Sequence, residues 1–396
     1  MRIVTFLSSF VDLSLEEKKA RGLLFTPREI AQQPETWRTT FSIFEQNQQK
    51  ISSFFDAAGV REPLKEKPAV MLIGAGTSDY VAQALEFLFR QKWGCEVSSV
   101  ASTDLLPNME EYIVPGRRYL WISFSRSGDS PEGVAVLEQA IELYPNISHL
   151  VVTCNADARM VEVCRGVERT QVVVLDDAVN DRSLVMTSSF TNMVVMGHCL
   201  ANAWSIAEYK PVLEQLIGAA EDLLKRVAEE ADALTERNFA RVCFIGSGSL
   251  ASVAKESALK VLEMTAGQVK TMSETVLGLR HGPMAALDTE TLFISFISGS
   301  ERGAKYAKDL LTEIGQKQVV AERIALGPTH SEAEIAPVCD QYLALHLDVE
   351  DVYRPAVDVI FGQLLGLYFS VTHKLHPDSP SPGGVINRVV QSFRIY

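Results

Sequence analysis

A repeated spacing of 172 residues constrains the fold of this 396-residue chain more than any other feature. Gly74 in VMLIGAGTS and Gly246 in VCFIGSGSL lie 172 positions apart. The ISF triplets at 122–124 and 294–296 keep the same offset, and so do the runs VVVLD and ALHLD. Three matching pairs at one spacing indicate an internal duplication.

Each copy alternates short apolar strands with helical patterns. This alternation predicts an α/β fold with two tandem doubly wound parallel sheets, each a flavodoxin-like sandwich. We therefore predict an N-terminal helical arm at 1–36, a first domain at 37–212 and a second domain at 213–396. Lys210-Pro211 opens a polar stretch that predicts a pair of helices linking the two domains.

The composition narrows the possible function classes. A formal net charge of −13 argues against binding to nucleic acids or membrane surfaces, although a small anion can still respond to a local field. The N-terminal MRIVTFLSSFVDL is short and interrupted by serines, so it does not predict a secretory signal. No apolar run predicts a membrane span. The six cysteines have no paired spacing, which predicts reduced thiols and a cytoplasmic protein.

Two hydroxyl-rich loops follow strands of the first copy. Thr77-Ser78 follows the first strand, and the segment SRSGDS at 125–130 follows a later one. Hydroxyl groups, backbone N–H groups and the positive end of a helix dipole together favour a dianion such as phosphate. Helix capping explains either loop alone, but two loops after adjacent strands favour a phosphate cradle. Its candidate residues are Thr77, Ser78, Ser125, Arg126, Ser127 and Ser130.

A third hydroxyl cluster, DRSLVMTSS at 181–189, opens another helix of the first copy and makes Ser188 a further candidate. Capping is again the alternative explanation. The chain has no G-x-x-x-x-G-K-[ST] motif, and GAGTSD lacks the third glycine of the dinucleotide pattern. The seven histidines form no H-x-x-x-H or H-E-x-x-H motif. We expect no cofactor and no metal.

The second copy contributes an acid–base group. The helix predicted between Ser249 and Gly267 carries Lys260 and Glu263 three positions apart, so the two side chains share a face. A Gly-Pro turn then follows His281. The alternative is a surface ion pair between Glu256 and Lys260 and an ordinary turn histidine. Charges just beyond the carboxyl end of a buried strand favour a functional site.

Together these motifs resemble the sugar isomerase (SIS) domain superfamily, and within it the AgaS-like branch. The resemblance extends from the TPREIAQQPETW segment to the C-terminal NRVVQ. The other motifs that carry it are GAGTS, STDL, ISFSRSGDSPE, VTCN, DRSLVMTSSFTNM, GSGSLASVAKESALKVLEMTAG and LRHGP.

The resemblance implies action on a hexosamine or ketose 6-phosphate. By motif position, the phosphate is bound by Ser78, Ser125, Ser127 and Ser130, with Thr77 nearby. No cofactor is needed for the proton transfer that these enzymes catalyse.

The resemblance also implies catalytic roles. Glu263 transfers a proton between C1 and C2, with Lys260 on the same helix face, and His281 assists ring opening. In this superfamily the histidine often enters from the partner subunit. Members often carry a C-terminal lysine that folds over the substrate, and Arg388 stands at that place in this chain.

The activity that the resemblance implies first is deamination of galactosamine 6-phosphate to tagatose 6-phosphate and ammonia. Tagatose-6-phosphate ketose/aldose isomerisation and glucosamine-6-phosphate deamination are alternatives, because they use the same residues. A non-catalytic sugar-phosphate sensor is an alternative of another class. The acidic charge and the short arm argue against it, since such sensors usually add a DNA-binding domain. A duplicated chain with a shared site predicts a homodimer or a larger homo-oligomer.

Overall fold

The computed structural model describes residues 7–381, 383–391 and 393–396. Within them the chain divides into two compact units, each with one five-stranded parallel sheet. The first-sheet unit comprises residues 35–181, 188–210 and 386–396. The second-sheet unit comprises the residues up to 34, residues 182–187 and residues 211–385.

The strands of the described residues all belong to these two sheets. In chain order they are β1 (Ala69–Gly74), β2 (Val97–Ala101), β3 (Tyr119–Ser125), β4 (Ile147–Thr153), β5 (Thr170–Val174), β6 (Arg241–Ile245), β7 (Lys270–Glu274), β8 (Thr291–Phe296), β9 (Glu322–Pro328) and β10 (Gln341–Leu345).

The α-helices alternate with the strands. They are α1 (Ser8–Val11), α2 (Leu15–Arg21), α3 (Thr26–Ala31), α4 (Gln33–Ala57), α5 (Thr77–Trp93), α6 (Ser102–Leu105), α7 (Met109–Tyr112), α8 (Pro131–Leu143), α9 (Arg159–Val163), α10 (Ser188–Ala201), α11 (Ile206–Glu236), α12 (Leu250–Met264), α13 (Glu301–Lys317), α14 (Glu332–Ile335) and α15 (Pro355–Thr372).

Both sheets have the same strand order. The first is β2-β1-β3-β4-β5 and the second is β7-β6-β8-β9-β10, with all neighbours parallel. Ile73 pairs with Ser123 in the first sheet, and Ile245 pairs with Ser295 at the equivalent position of the second. The predicted pair of doubly wound parallel sheets is therefore confirmed. In such sheets ligands bind where the winding reverses, which is between β1 and β3 and between β6 and β8.

The central strands are covered on both faces. Every residue of β1, β3 and β8 is buried, which explains why these segments are continuous apolar runs without alternation. In the first-sheet unit, Trp93 at the end of α5 makes edge contacts with Phe55 and Phe89, with ring centroids 4.9 and 4.6 Å apart. Its indole N–H donates to the carbonyl of Ala201 at 3.1 Å. This cluster ties α4 and α10 to α5.

The predicted helix pair at the domain border is wrong, because α11 is a single helix of 31 residues that contains Pro211. A proline inside a helix removes one backbone hydrogen bond. The buried side chains of Tyr209, Leu213, Leu216 and Ala220 continue past it at helical spacing. Burial of this stripe outweighs the single lost hydrogen bond.

Two carboxylates anchor the N-terminal helices within the second-sheet unit. Asp378 accepts hydrogen bonds from the backbone N–H groups of Leu24 (2.6 Å) and Thr26 (2.8 Å) at the start of α3. Glu29, which is buried, accepts from the hydroxyl group of Ser183 at 2.5 Å. The contacts of Asp378 satisfy N–H groups that the start of α3 would otherwise leave unpaired.

The helix α15 forms the centre of the second-sheet unit. Among the described residues it is the one helix long and apolar enough to cross a membrane, but 89% of it is buried inside the protein. It packs along α12, where Gly362 and Gly366 allow a close approach. A Cβ on Gly362 would lie 2.2 Å from Oγ of Ser257. The apolar character of α15 is thus that of a core helix.

His149 is a buried, neutral side chain on β4. It has no exposed surface, and its ring makes an edge contact with Trp121 at 5.6 Å between centroids. Neither ring nitrogen has a hydrogen-bond partner among the described residues. Burial, and to a lesser degree the positive charge of Arg169, lowers the pKa of His149 from 6.5 to about 3.

This burial generates a prediction for stability in acid. Below pH 6.5 the unfolded chain binds a proton at His149 that the folded chain rejects, so the free energy of unfolding falls as the pH falls. The loss is about 1.4 kcal/mol per pH unit for this group, until the pH approaches its folded pKa. We expect His149→Phe, which keeps the aromatic contact, to lose this share of the pH dependence. Urea unfolding at several pH values measures it, and parallel profiles for the variant and the wild type would contradict the assignment.

Candidate active site

The two hydroxyl-rich loops of the first-sheet unit lie side by side at the point where the winding reverses. Strands β1 and β3 are hydrogen-bonded neighbours, and their carboxyl ends lead into α5 and α8. The first loop is tight because a Cβ on Gly74 would lie 2.3 Å from the carbonyl group of Ser78. Thr77 and Ser78 occupy the first turn of α5 and are 5% exposed.

Hydrogen bonds hold the backbone of the loop at 125–130, while part of the loop's surface is exposed to solvent. The hydroxyl oxygen of Ser125 accepts a hydrogen bond from the N–H of Gly128 at 3.0 Å. The side-chain amide of Asn155 donates to the carbonyl of Ser127 at 3.0 Å. Ser127 and Ser130 are half-buried, and Ser130 precedes α8 without making a capping hydrogen bond. Ser130 thus lies at the N-terminus of a helix of 13 residues, a position that favours an anion, and Ser127 precedes it by three residues.

The third hydroxyl cluster is already organised by a carboxylate. Asp181 accepts hydrogen bonds from the N–H of Ser188 at 3.1 Å and from the N–H and hydroxyl of Ser189 at 2.9 and 2.5 Å. Ser188 itself is fully buried at the start of α10. These contacts are those of helix capping, and a role for Ser188 in binding stays a prediction.

The C-terminal segment contacts both the loop at 125–130 and residues 180–181 through arginine side chains. The guanidinium of Arg388 donates to the carbonyl of Asp181 at 2.7 Å and to the side chain of Asn180 at 2.6 Å. The carbonyl of Arg388 accepts a hydrogen bond from the guanidinium of Arg126, which is 5% exposed. The structure therefore brings Arg126 and Arg388 together beside the serine loop.

The second-sheet unit holds a buried ion group on α12. The ammonium group of Lys260 lies 3.3 Å from Oε1 of Glu256 and 2.7 Å from Oε2 of Glu263. The side chains of Lys260 and Glu256 have no exposed surface, whereas that of Glu263 is 23% exposed. Burial alone lowers the pKa of Lys260, but the two carboxylates outweigh this effect and leave it raised, so Lys260 is a cation.

Lys260 therefore does not belong to a solvated surface pair, the alternative that the sequence left open. It connects a buried carboxylate to one that reaches solvent. Glu263 is the only member of this trio with exposed surface, so it is the member able to meet a substrate.

His281 lies in an exposed turn of the second-sheet unit. It ends a short 3-10 helix, Gly278–His281, and Gly282-Pro283 starts the next one. The neighbouring Arg280 is held by Glu313 at 2.7 Å. This ion pair fixes the turn while leaving the imidazole accessible.

Sequence reasoning did not identify the residues that brace these loops. Asn155 is part of the motif VTCN, and its position two residues after the end of β4 is the signal that could have identified it. Asp181 was seen as the start of a hydroxyl cluster, although an aspartate before a helix is a common cap. No cluster of three or more potential metal ligands occurs among the described residues.

Comparison with known proteins places the chain in a family. No family model matches it. The D-galactosamine-6-phosphate deaminase AgaS of Shewanella sp. (strain ANA-3) is 31% identical over 389 residues, which cover 97% of this chain and 95% of the relative. The protein of the same name from Escherichia coli O157:H7 is 32% identical and covers 94% and 95%. The crystal structure of tagatose-6-phosphate ketose/aldose isomerase from Escherichia coli has a TM-score of 0.82 at 26% identity, covering 94% of this chain and 96% of that chain.

This chain has two doubly wound parallel sheets, with a serine loop beside one and a lysine–glutamate helix beside the other. This arrangement is that of proteins with two sugar isomerase domains. This chain belongs to the AgaS family of that class. The resemblance inferred from the motifs is confirmed.

The close contact between α12 and α15 generates a second stability prediction. We expect Gly362→Ala to lower the free energy of unfolding by about 1–3 kcal/mol, the usual cost of overpacking, because the new methyl group meets Ser257. Gly218→Ala is the matched control, since this exposed glycine of α11 has no atom within 4 Å of its Cβ position. We expect the control to gain up to about 1 kcal/mol. Chemical unfolding measures both, and equal effects would argue against tight packing at Gly362.

Proposed function

We propose that this chain is a deaminase that converts D-galactosamine 6-phosphate to D-tagatose 6-phosphate and ammonia. The observation that carries the proposal is the contact between the buried cation Lys260 and the partly exposed carboxylate of Glu263. That pair is suited to proton transfer at a carbon. The names of relatives that match nearly the whole chain support the choice of substrate.

In this proposal the first-sheet unit supplies the phosphate-binding residues. Hydrogen bonds to the phosphate come from the hydroxyl groups of Ser125, Ser127 and Ser130, in the loop that leads into α8. The hydroxyl groups of Thr77 and Ser78 donate in the same way at the start of α5. The hydrogen bonds that hold the loop backbone support this role, because they fix the positions of the loop's donor groups. Preorganised donors bind a dianion without the cost of ordering a loop.

The second-sheet unit supplies the proton-transfer residues. In the open-chain amino sugar, the carboxylate of Glu263 removes the proton from C2 and returns it to C1. A second proton passes from the nitrogen to the C1 oxygen, and the product is a chain with a hydroxyl group at C1 and an imine at C2. Water adds to the imine and ammonia leaves. A carbonyl group then stands at C2, and the product is the ketose phosphate. The cation of Lys260 stabilises the negative charge that develops on oxygen during the transfer.

His281 assists opening of the sugar ring in the proposed mechanism. Its exposed imidazole can move a proton between the ring oxygen and the C1 hydroxyl. Arg388, with Arg126 and Ser188, completes the set of proposed substrate-binding residues. Arg388 donates only to neutral oxygens among the described residues, so its charge is available to a phosphorylated sugar.

The proposal includes assembly and location. We propose a homodimer or larger homo-oligomer in which the active site is shared between copies, and a cytoplasmic enzyme. The domain limits 37–212 and 213–396 remain part of the same proposal. The proposal includes no metal and no organic cofactor, because the residues named above account for the proton transfer and the reaction involves no net oxidation or reduction.

Ketose/aldose isomerisation of tagatose 6-phosphate is the second candidate function. The name of the E. coli structure, 26% identical over nearly the whole chain, favours it. The two reactions share the C1/C2 proton transfer and differ in whether C2 carries nitrogen or oxygen. Glucosamine-6-phosphate deamination is the same chemistry on the C4 epimer.

Ammonia release distinguishes these candidates. The purified protein is incubated with galactosamine 6-phosphate, glucosamine 6-phosphate and N-acetylgalactosamine 6-phosphate, in parallel with tagatose 6-phosphate alone. We expect ammonia from galactosamine 6-phosphate. Consumption of tagatose 6-phosphate without ammonia from any amino sugar would make the chain an isomerase. Tight binding without any turnover would make it a sensor.

Replacement of Glu263 tests the assignment of the proton-transfer group. We expect Glu263→Gln to lower kcat about 10²–10⁴-fold, the usual contribution of a general acid–base residue. Binding of the sugar phosphate should change little, because the amide keeps the shape of the side chain. Glu301→Gln is the matched control, since Glu301 is an exposed glutamate paired with Lys305 in the same unit. Steady-state kinetics measure both variants, and full activity of Glu263→Gln would remove Glu263 from this role.

Replacement of Ser127 tests the phosphate cradle. We expect Ser127→Ala to raise KM for the phosphorylated sugar with a smaller effect on kcat, because it loses a hydrogen bond to a charged group worth about 1.5–3 kcal/mol. Ser53→Ala on the exposed face of α4 is the matched control. The KM values for the phosphorylated sugar are compared between the variants. An unchanged KM in Ser127→Ala would place the phosphate elsewhere.

A further inference from the structure

The duplication creates two equivalent loops, and they differ in whether an aspartate carboxylate is hydrogen-bonded to the loop's own donor groups. In the first-sheet unit the loop between β3 and α8 carries Ser127 and Ser130. Its own acid, Asp129, accepts from the N–H of Arg159 at 2.8 Å and from the amide of Asn155 at 3.3 Å. The equivalent loop of the second-sheet unit, residues 297–300, lies between β8 and α13, a helix of 17 residues.

A carboxylate of the protein occupies the second loop. Oδ2 of Asp351 accepts a hydrogen bond from the hydroxyl of Ser298 at 2.5 Å. Its Oδ1 accepts from the backbone N–H of Gly299 at 2.8 Å and from the guanidinium of Arg354 at 2.8 Å. A hydroxyl group, a loop N–H and an arginine are the donors that proteins use for phosphate.

The arginine of this cluster is a built feature of the core. Arg354 has no exposed surface, and its guanidinium also donates to the carbonyl of Ile297 at 2.8 Å. Its other side pairs with the fully buried Asp358 at 2.6 Å. Burial of an arginine costs several kcal/mol unless its donors are satisfied, and Asp351 satisfies the donor nearest the loop. The Asp351 side chain is 24% exposed, so the position that it occupies opens to solvent.

We infer that the loop at 297–300 is an anion-binding loop whose ligand is the chain's own Asp351 carboxylate, and that removal of this carboxylate opens a second site for inorganic phosphate or a phosphate monoester. Ser298, Gly299 and Arg354 would bind the anion there. The carboxylate thereby prevents an external phosphate from binding at this loop of the second-sheet unit. The inference does not rest on the proposed reaction, because it concerns anion binding and involves no turnover.

The variant Asp351→Ala tests the inference. Inorganic phosphate is titrated into the full-length protein by calorimetry, with the melting temperature measured in parallel. We expect the variant to bind one more phosphate per chain than the wild type. We also expect its melting temperature to be lower without phosphate and to rise more steeply with phosphate, because a ligand stabilises the state that binds it. The double variant Ser127→Ala/Asp351→Ala should keep the additional site, which locates it in the second-sheet unit.

Two controls separate anion binding from general loss of an ion pair. Asp340→Ala removes the partner of Arg323, which pairs at 2.7 Å outside any such loop, and should gain no phosphate site. Asp351→Asn keeps the side chain in the loop and should also gain none.

If Asp351→Ala does not fold in phosphate-free buffer, phosphate should restore its cooperative unfolding. A folded Asp351→Ala with the phosphate stoichiometry of the wild type would overturn the inference, and so would a failure of phosphate to restore folding.

Discussion

The candidate chemistry depends on the ion pairs between the fully buried ammonium group of Lys260 and the carboxylates of Glu256 and Glu263. Removing such an ion from water costs several kcal/mol, and the carboxylates of Glu256 and Glu263 offset this cost from opposite sides. The helix α15 approaches α12 closely at this point, because a Cβ on Gly366 would lie 3.0 Å from the carbonyl oxygen of Lys260. In this buried ion group, Glu263 is the one partly exposed carboxylate.

The duplicated architecture places equivalent loops in both units. Both units have the same strand order, so both present a loop and a helix N-terminus where the winding reverses. In one unit this place carries half-buried serines braced by Asn155, and in the other it holds the carboxylate of Asp351. The same backbone therefore carries a candidate binding loop in one copy and a structural junction in the other. The donors that attract an anion are similar, and the occupant decides the role.

Much of the fold was predictable because its signals are local. Buried parallel strands are continuous apolar runs, and the offset of 172 residues linked the two sheets before their pairing was known. The helix pair expected after Pro211 failed because a tertiary contact, the buried stripe from Tyr209 to Ala220, overrode a local helix breaker. For the site, the spacing of Lys260 and Glu263 predicted that they share a face, and it could not predict that Lys260 has no contact with water.

The sequence by itself determined the two doubly wound sheets, the positions of the hydroxyl loops and the family, since apolar periodicity, glycines and short motifs act within a few residues. Only the tertiary structure decided which charges are buried and which loop is filled. Asp351 reaches Ser298 from 53 positions away, and the carbonyl of Arg388 meets Arg126 across 262. Such contacts depend on how distant elements pack, and the free energy of burying a charge is set by that packing alone.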